Sequence, residues 1–359
     1  MTKAHILSLS HQDIADQLSS WGQPRFRAPQ IMDWIYHKFV TDLDKMSNLP
    51  KALRNLMQEH LDWQMPQIIN KLDAADGSSK LLLRNQRGFL METVILRYEN
   101  RTSLCVSSQV GCKLACSFCQ TGKLGFVSHL TKADILSQLL LANQILAAED
   151  KKVSHVVFMG MGEPLDNYKE TVPAANQMID PEYFGLSARH VTISSSGLAP
   201  QIEQLADDSR AALAISLHAS RDDLRTELMP INRKYSLQRL KQALLHYQQK
   251  TGRKITIEYI LIRQTNCGLR EAKELVKFLH GLRCKVNLIP FNAHPGLPYD
   301  RPEEEEIRNF QKYLSDRSIP APVRYSKGLD VSAACGQLAA KNAADLHALP
   351  QRQNLVAHR

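Results

Sequence analysis

No run of 18 apolar residues occurs in the chain, so no membrane-spanning helix is expected. The opening stretch, MTKAHILSLSHQD, lacks the charged-then-apolar order of a secretion signal. A cytoplasmic protein with no membrane partner is the expectation. No sequence repeat and no low-complexity linker divides the chain, which argues against a repeat array. In a reducing compartment the seven cysteines argue for metal binding or catalysis rather than a disulfide framework. The 359 residues, 43% of them hydrophobic, suffice for one barrel-sized core with accessory pieces.

The net charge is +9, which permits an anionic partner such as RNA. Residues 1–95 carry 11 Lys/Arg against 10 Asp/Glu, so the other +8 lies beyond them. Between Asp222 and Arg263 there are nine basic residues, Arg225, Arg239 and Arg253 among them, against four acids. This stretch reads either as solvated helix faces or as an RNA-binding surface.

Apolar spacing predicts helices within residues 6–62, punctuated at Gly22-Gln23-Pro24 and Asn48-Leu49-Pro50. Residues 66–97 change to a strand period, with turns at Asp76-Gly77 and Arg87-Gly88, and predict a small antiparallel sheet. From about residue 100, six strands alternate with helices: SLCVSSQ, VSHVVFMG, HVTISSS, AALAISLH, KITIEYILI and CKVNLIPFN. Thr131 through Glu149 is predicted helical behind the capping box Thr131-Lys-Ala-Asp134. Further helices are predicted at 200–206, 236–249 and 269–280, and one from Pro302, whose run Glu303 to Glu306 suits a helix N-terminus. Repeated β-then-α units imply parallel strands joined by right-handed crossovers, and six of them imply a partial barrel. The expected working face is at the strand C-terminal ends. Small and polar residues gather there: the cysteine segment, Gly160 to Glu163, Ser194 to Ser196, Ser216 to His218, and Asn292.

The segment SQVGCKLACSFCQTG spaces Cys112, Cys116 and Cys119 as C-x3-C-x2-C. Three thiolates can hold three irons of a [4Fe–4S] cluster and leave the fourth open for a ligand, with S-adenosylmethionine the leading candidate. The rival is a structural zinc with Cys105 as fourth ligand. It is disfavoured because structural zinc usually pairs two short knuckles and only one C-x2-C is present. Gly160-Met161-Gly162-Glu163-Pro164 follows a buried strand, and glycines there let backbone groups approach a ligand closely. Ser194, Ser216, His218 and Asn292 are candidates for hydrogen bonds to that ligand, or else for local turn bonds. Cys105 and Cys335 are each either a small buried residue or a reactive thiol.

From Glu92 to the GQL after Cys335, the sequence resembles the RlmN/Cfr family of radical S-adenosylmethionine RNA adenine methyltransferases. The matching stretches are METV, LCVSSQVGCKLACSFCQTG, FMGMGEPLDN, HVTISSSG, AISLHA, LMPIN, VNLIPFN and AACGQL; upstream, WGQPRFRAPQIMDWIYHK resembles the family's N-terminal helical domain. The resemblance implies a radical-SAM partial (βα)6 TIM-like barrel with an N-terminal helical domain and a small antiparallel β extension. The expected divisions are a helical, RNA-binding accessory domain over 1–64, the β extension over 65–97, the barrel over 98–331, and a C-terminal segment over 332–359 that carries Cys335.

It also implies roles. Cys112, Cys116 and Cys119 would hold one [4Fe–4S] cluster per chain. Gly162, Glu163, Ser194, Ser216, Leu217, His218 and Asn292 match positions that bind S-adenosylmethionine. Cys335 matches the cysteine that is first methylated, Cys105 the one that later releases the RNA, leaving a Cys105–Cys335 disulfide, and Glu92 a proton acceptor. Two molecules of S-adenosylmethionine serve each turnover, because adenine carbon is too weak a nucleophile for direct transfer: one methylates Cys335 and the second generates the radical that activates that methyl group. The implied activity is methylation of adenine C2 in 23S rRNA, with the tRNA adenosine 3′ of the anticodon as a further candidate. Alternatives are C8 methylation, as in the Cfr branch, and a non-catalytic zinc-stabilised RNA-binding protein. Pro164 in GEPL resembles the C2 branch. A monomer fed by an electron donor such as flavodoxin is implied. The sequence departs from the usual pattern at Gln120, over 127–129 and over 324–331.

Overall fold

The computed structural model describes residues 3–293, 296–334 and 336–338, so Cys335 lies outside the described residues. Nine strands form one sheet: β1 (Gln67–Asp73), β2 (Ser79–Arg84), β3 (Leu90–Tyr98), β4 (Arg101–Cys105), β5 (His155–Phe158), β6 (Val191–Ser195), β7 (Ala212–Ser216), β8 (Ile255–Leu261) and β9 (Cys284–Pro290). Their order across the sheet is their order along the chain. β1 to β4 pair antiparallel, and β4 to β9 pair parallel.

The connections explain the change of direction. β1 to β3 are joined by short turns in which Gly77 N donates to Ala74 O and Gly88 N to Asn85 O, so the chain reverses at each. β4 to β9 are joined through helices: Lys132–Ala147, Tyr168–Ile179, Ala199–Asp208, Leu237–Thr251 and Leu269–Leu279. A crossover helix returns the chain to the edge it left, so the next strand is parallel. The six parallel strands are those read from the sequence, and the extension forms a continuation of their sheet.

Thr131 caps the helix Lys132–Ala147 with the reciprocal bonds expected of its capping box. The helix expected from Pro302 starts at Glu304, with Glu303 as its cap. Helices escaped the pattern where local signals are weak. Tyr168–Ile179 carries Pro173 in its interior, and Asp222–Leu228 is too short to show a period. The N-terminal helices His11–Ser20, Arg27–Met32 and Lys51–His60 bury Ile14, Leu18, Ile31, Leu53 and Met57. They dock on the barrel through Tyr36, which meets Tyr183 and Phe184 edge-on and accepts a bond from Gln177 Nε2 at 2.7 Å. Among the described residues no helix is long and apolar enough to cross a membrane.

Candidate active site

After β4 the chain forms a short antiparallel pair, Gln109–Gly111 with Phe126–His129, and the loop between them carries the three cysteines. The loop is tight: Ala115 adopts φ +50°, and Cys119 N donates to Cys116 O at 3.1 Å. Ser117 N donates to Leu228 O at 3.0 Å, which ties the loop to the short helix beyond β7.

At the C-terminal ends of the parallel strands lies a cavity that is partly open to solvent. Cys112, Cys116 and Cys119 line it, together with Gly162, Glu163, Ser194, Ser216 and His218. Eight of the ten expected cluster and cofactor residues therefore share one chamber. Leu217 and Asn292 are not among the described lining. Leu217 is buried, its carbonyl accepting from Arg225 Nε at 3.2 Å, and Asn292 Nδ2 donates to Ser326 Oγ at 2.7 Å.

Burial pushes all three cysteine thiols up, Cys112 to about 12. Backbone amides oppose this, that of Leu114 at Cys112 and those of Gly122 and Thr121 at Cys119. Such a trio suits a strongly positive group, which would favour the thiolates. Among the described residues no three His, Cys, Asp or Glu side chains group closely enough for a single ion. Cys105, the zinc reading's fourth ligand, lines a neighbouring cavity instead.

Gly162 stands at φ +99°, and a Cβ there would lie 2.5 Å from Gln109 Cβ. Gln109 also accepts from Glu163 N at 2.8 Å and donates to Asp166 Oδ2 at 2.8 Å, so it fixes the GMGE turn. Glu163 Oε2 accepts from Ser196 N and Oγ, both at 2.8 Å, while Oε1 accepts from Leu165 N at 3.0 Å. Burial raises its pKa against these bonds. His218 Nδ1 accepts from Ile260 N at 3.0 Å, which leaves Nε2–H as the ring's donor. Burial, then the Arg225 charge, lowers His218 to about 3, so the ring is neutral.

Arg225 was read from the sequence as part of a basic stretch. It is fully buried, donating to Ser196 O at 2.6 Å, Asn232 Oδ1 at 2.9 Å and Leu217 O at 3.2 Å, and so ties the ends of β6 and β7 together. Other members of the stretch are also engaged: Arg239 with Glu203, Lys250 with Asp207, and Arg253 with the carbonyls of Ser209 and Ala211. Much of the stretch therefore serves the fold.

A second cavity shares Met159, Glu258, Ile289 and Leu338 with the first. Cys105 lines it, as do Ala333 and Ala334. The C-terminal segment crosses this side as a strap. Gly328 N donates to Asp76 Oδ2 at 2.8 Å, Lys80 Nζ to Ser332 O at 3.2 Å, Gln120 N to Gly336 O at 2.8 Å, and Thr121 Oγ1 to Leu338 O at 2.6 Å. The residues flanking Cys335 are thus anchored to the cysteine loop. Glu92 belongs to the described wall of neither cavity. It is buried on β3, 3.2 Å from Lys80 Nζ, rather than an exposed strand glutamate.

Residues 4–62 match the family described as "Ribosomal RNA large subunit methyltransferase N-terminal domain", and residues 106–278 match the "Radical SAM superfamily". A "Dual-specificity RNA methyltransferase RlmN" of a Nitratiruptor species is 42% identical over 352 residues, covering 94% of this chain and 98% of that protein. The protein of the same name from Pseudomonas fluorescens is 41% identical over 342 residues, covering 94% and 90%. This chain belongs to the RlmN family. A crystal structure of a radical SAM methyltransferase from Sphaerobacter thermophilus superposes with a TM-score of 0.90 at 40% identity, over 93% of this chain and 98% of that one. RlmN membership sets aside the non-catalytic zinc reading and makes the chain a SAM-dependent RNA methyltransferase.

Several residues near the two cavities were not singled out from the sequence: Gln109, Lys80, Glu258 and Asn287. Glu258 left a signal, a lone acid inside the apolar strand KITIEYILI.

Proposed function

We propose that this chain methylates C2 of an adenosine in 23S rRNA and also in tRNA, through an S-methylated Cys335. The observation that carries this is identity of 42% across 98% of a protein named as a dual-specificity RNA methyltransferase. RlmN relatives, together with Pro164 in GEPL, favour C2 over the C8 alternative.

Cys112, Cys116 and Cys119 are proposed to hold one [4Fe–4S] cluster. Gly162, Glu163, Ser194, Ser216, Leu217, His218 and Asn292 are proposed to hold S-adenosylmethionine, two molecules of which are used per turnover. When bound, this pair supplies the methyl group and the one-electron chemistry. The chain's own part is binding, orientation and exclusion of water. Phe118, Phe158 and Ile260 give the chamber apolar walls, and His218 offers a fixed neutral donor among them. At the Gly162 turn the backbone packs against Gln109, where a Cβ would clash, and so holds the GMGE loop on the chamber wall.

Cys105 and the residues flanking Cys335 border one cavity, which supports the two thiols acting in sequence on one RNA base. Glu92 is proposed as the proton acceptor, with Lys80 its buried partner. The target base must leave its stack to enter. Residues 1–64 are proposed to contact RNA, with 65–97, 98–331 and 332–359 as the extension, barrel and Cys335-bearing segment. An electron donor of the flavodoxin kind, a monomeric state and a cytoplasmic setting complete the proposal. The test is nucleoside mass spectrometry of ribosomal and transfer RNA treated with reduced, cluster-loaded protein. 2-Methyladenosine is expected from both. 8-Methyladenosine alone, or no methylated adenosine, overturns the reading.

A further inference from the structure

The parallel strands of a packed barrel usually point bulky aliphatic side chains inward. Here the second cavity is walled by Ser103, Thr192, Thr256, Glu258 and Asn287 from four different strands. Glu258 and Asn287 are register partners on β8 and β9, side by side on the same face. Both are buried, and Asn287 Nδ2 donates to Glu258 Oε1 at 2.8 Å. Asn287 Oδ1 is buried and has no hydrogen-bond partner among the described residues. A buried acceptor without a partner is costly and rare in a finished fold. Because Asn287 belongs to the cavity wall, the unpaired oxygen points to a donor brought by a ligand.

The surroundings narrow that ligand. Arg101, Lys285 and Arg324 are exposed members of the same cavity wall, and Tyr98 and Tyr325 stand with them. Cations and aromatic rings around a polar interior suit a nucleotide, its phosphate outside and its base within. Cys105 lines the same space.

We propose that Glu258 and Asn287 read the N1/N6 edge of the adenine being methylated and thereby set its C2 toward the reaction chamber. This rests on the RNA methyltransferase reading above. Adenine offers an amine donor at N6 and an acceptor at N1, and C2 is the ring carbon next to N1. Asn287 Oδ1 accepts from N6–H. The Glu258 carboxyl donates to N1 when protonated, a form that burial favours although Asn287, Arg324 and Lys285 oppose it. A base held by these two atoms presents C2 on the same edge. Glu258 lies on the wall shared by the two cavities, between Cys105's side and the cysteine chamber. Guanine, with a carbonyl at position 6 and a proton on N1, reverses both bonds.

The cofactor's adenine carries the same edge, so the experiment separates the two. Cluster-loaded, unreduced protein is titrated with a short RNA stem-loop bearing adenosine or purine riboside, which lacks the N6 amine, at the target position. Binding is read by fluorescence anisotropy, and the cluster is checked by its visible absorption. Wild type is expected to prefer adenosine by about tenfold or more, the effect of leaving a buried acceptor unpaired. Asn287→Leu is expected to reduce that preference to about twofold or less with affinity for S-adenosylmethionine unchanged, and the near-isosteric Glu258→Gln is expected to weaken it. Equal wild-type affinity for the two RNAs overturns the proposal whatever the variants do. So does unchanged discrimination in both variants, or a loss confined to S-adenosylmethionine binding. A wild type that methylates no adenosine in the nucleoside assay refutes the underlying enzyme reading instead, which keeps the two failures apart.

Discussion

His218 holds φ +59° with Nδ1 occupied by the Ile260 amide and its ring edge-on to Phe118 at 4.9 Å. The unfolded chain protonates this ring near 6.5, whereas the folded chain does not until about 3. Between these values the unfolded state binds the extra proton. Stability from this group is therefore complete above pH 6.5 and is lost progressively as pH falls toward 3, at up to about 1.4 kcal/mol per pH unit. Urea unfolding of wild type and His218→Gln at about pH 7 and about pH 5 checks this. Wild type is expected to lose about 2 kcal/mol more than the variant over that interval. The residue was legible from the sequence as a polar side chain at a strand end. Its neutrality and its donor atom were not, because both follow from the β8 backbone beside it.

The β extension behaves as part of the barrel sheet, and its inner strands carry a buried ion pair. Lys80 on β2 and Glu92 on β3 meet at 3.2 Å, and Lys80 also reaches Ser332 O in the strap. Removing one member of a buried pair strands the other charge, so Lys80→Met is expected to cost about 3–5 kcal/mol, and Lys80→Met with Glu92→Leu distinctly less. Urea midpoints at unchanged slope measure it. At this scale the strands were legible because alternation and turn residues are local signals: all six barrel strands and both hairpin turns stand where the sequence put them. The register that pairs Lys80 with Val94 and so brings it diagonally to Glu92, and that sets Glu258 beside Asn287, is a long-range property and left no local trace. The outer strand β1 is largely exposed, with Ile68 and Ile69 facing outward, and a register shift between Ile68 and Asn70 breaks the regularity of that edge.

For the molecule as a whole, charge was the least legible feature. A count of basic residues between 222 and 263 suggested a surface, but folding turned Arg225 inward and engaged Arg239, Lys250 and Arg253 elsewhere in the chain. RNA affinity is expected to fall with salt at a log–log slope of roughly −0.7 to −0.9 per phosphate contacted. Replacing Lys285 and Arg324 with Gln should make that slope shallower by about one to two units, while Arg239→Gln should leave it nearly unchanged; filter binding over a salt series reads both. A slope insensitive to Lys285 and Arg324 would remove them from the RNA surface. The strand order has a consequence for how the molecule comes into being. Because neighbours in the sheet are neighbours in the chain, each strand leaving the ribosome finds its partner already made, and none must be inserted between two others. The strap that ties the Asp76 turn to the cysteine loop is synthesised after every strand it crosses. Synthesis thus sets a timetable, sheet first and closure last, and the three cysteines proposed as cluster ligands are made before the chain that will cover them.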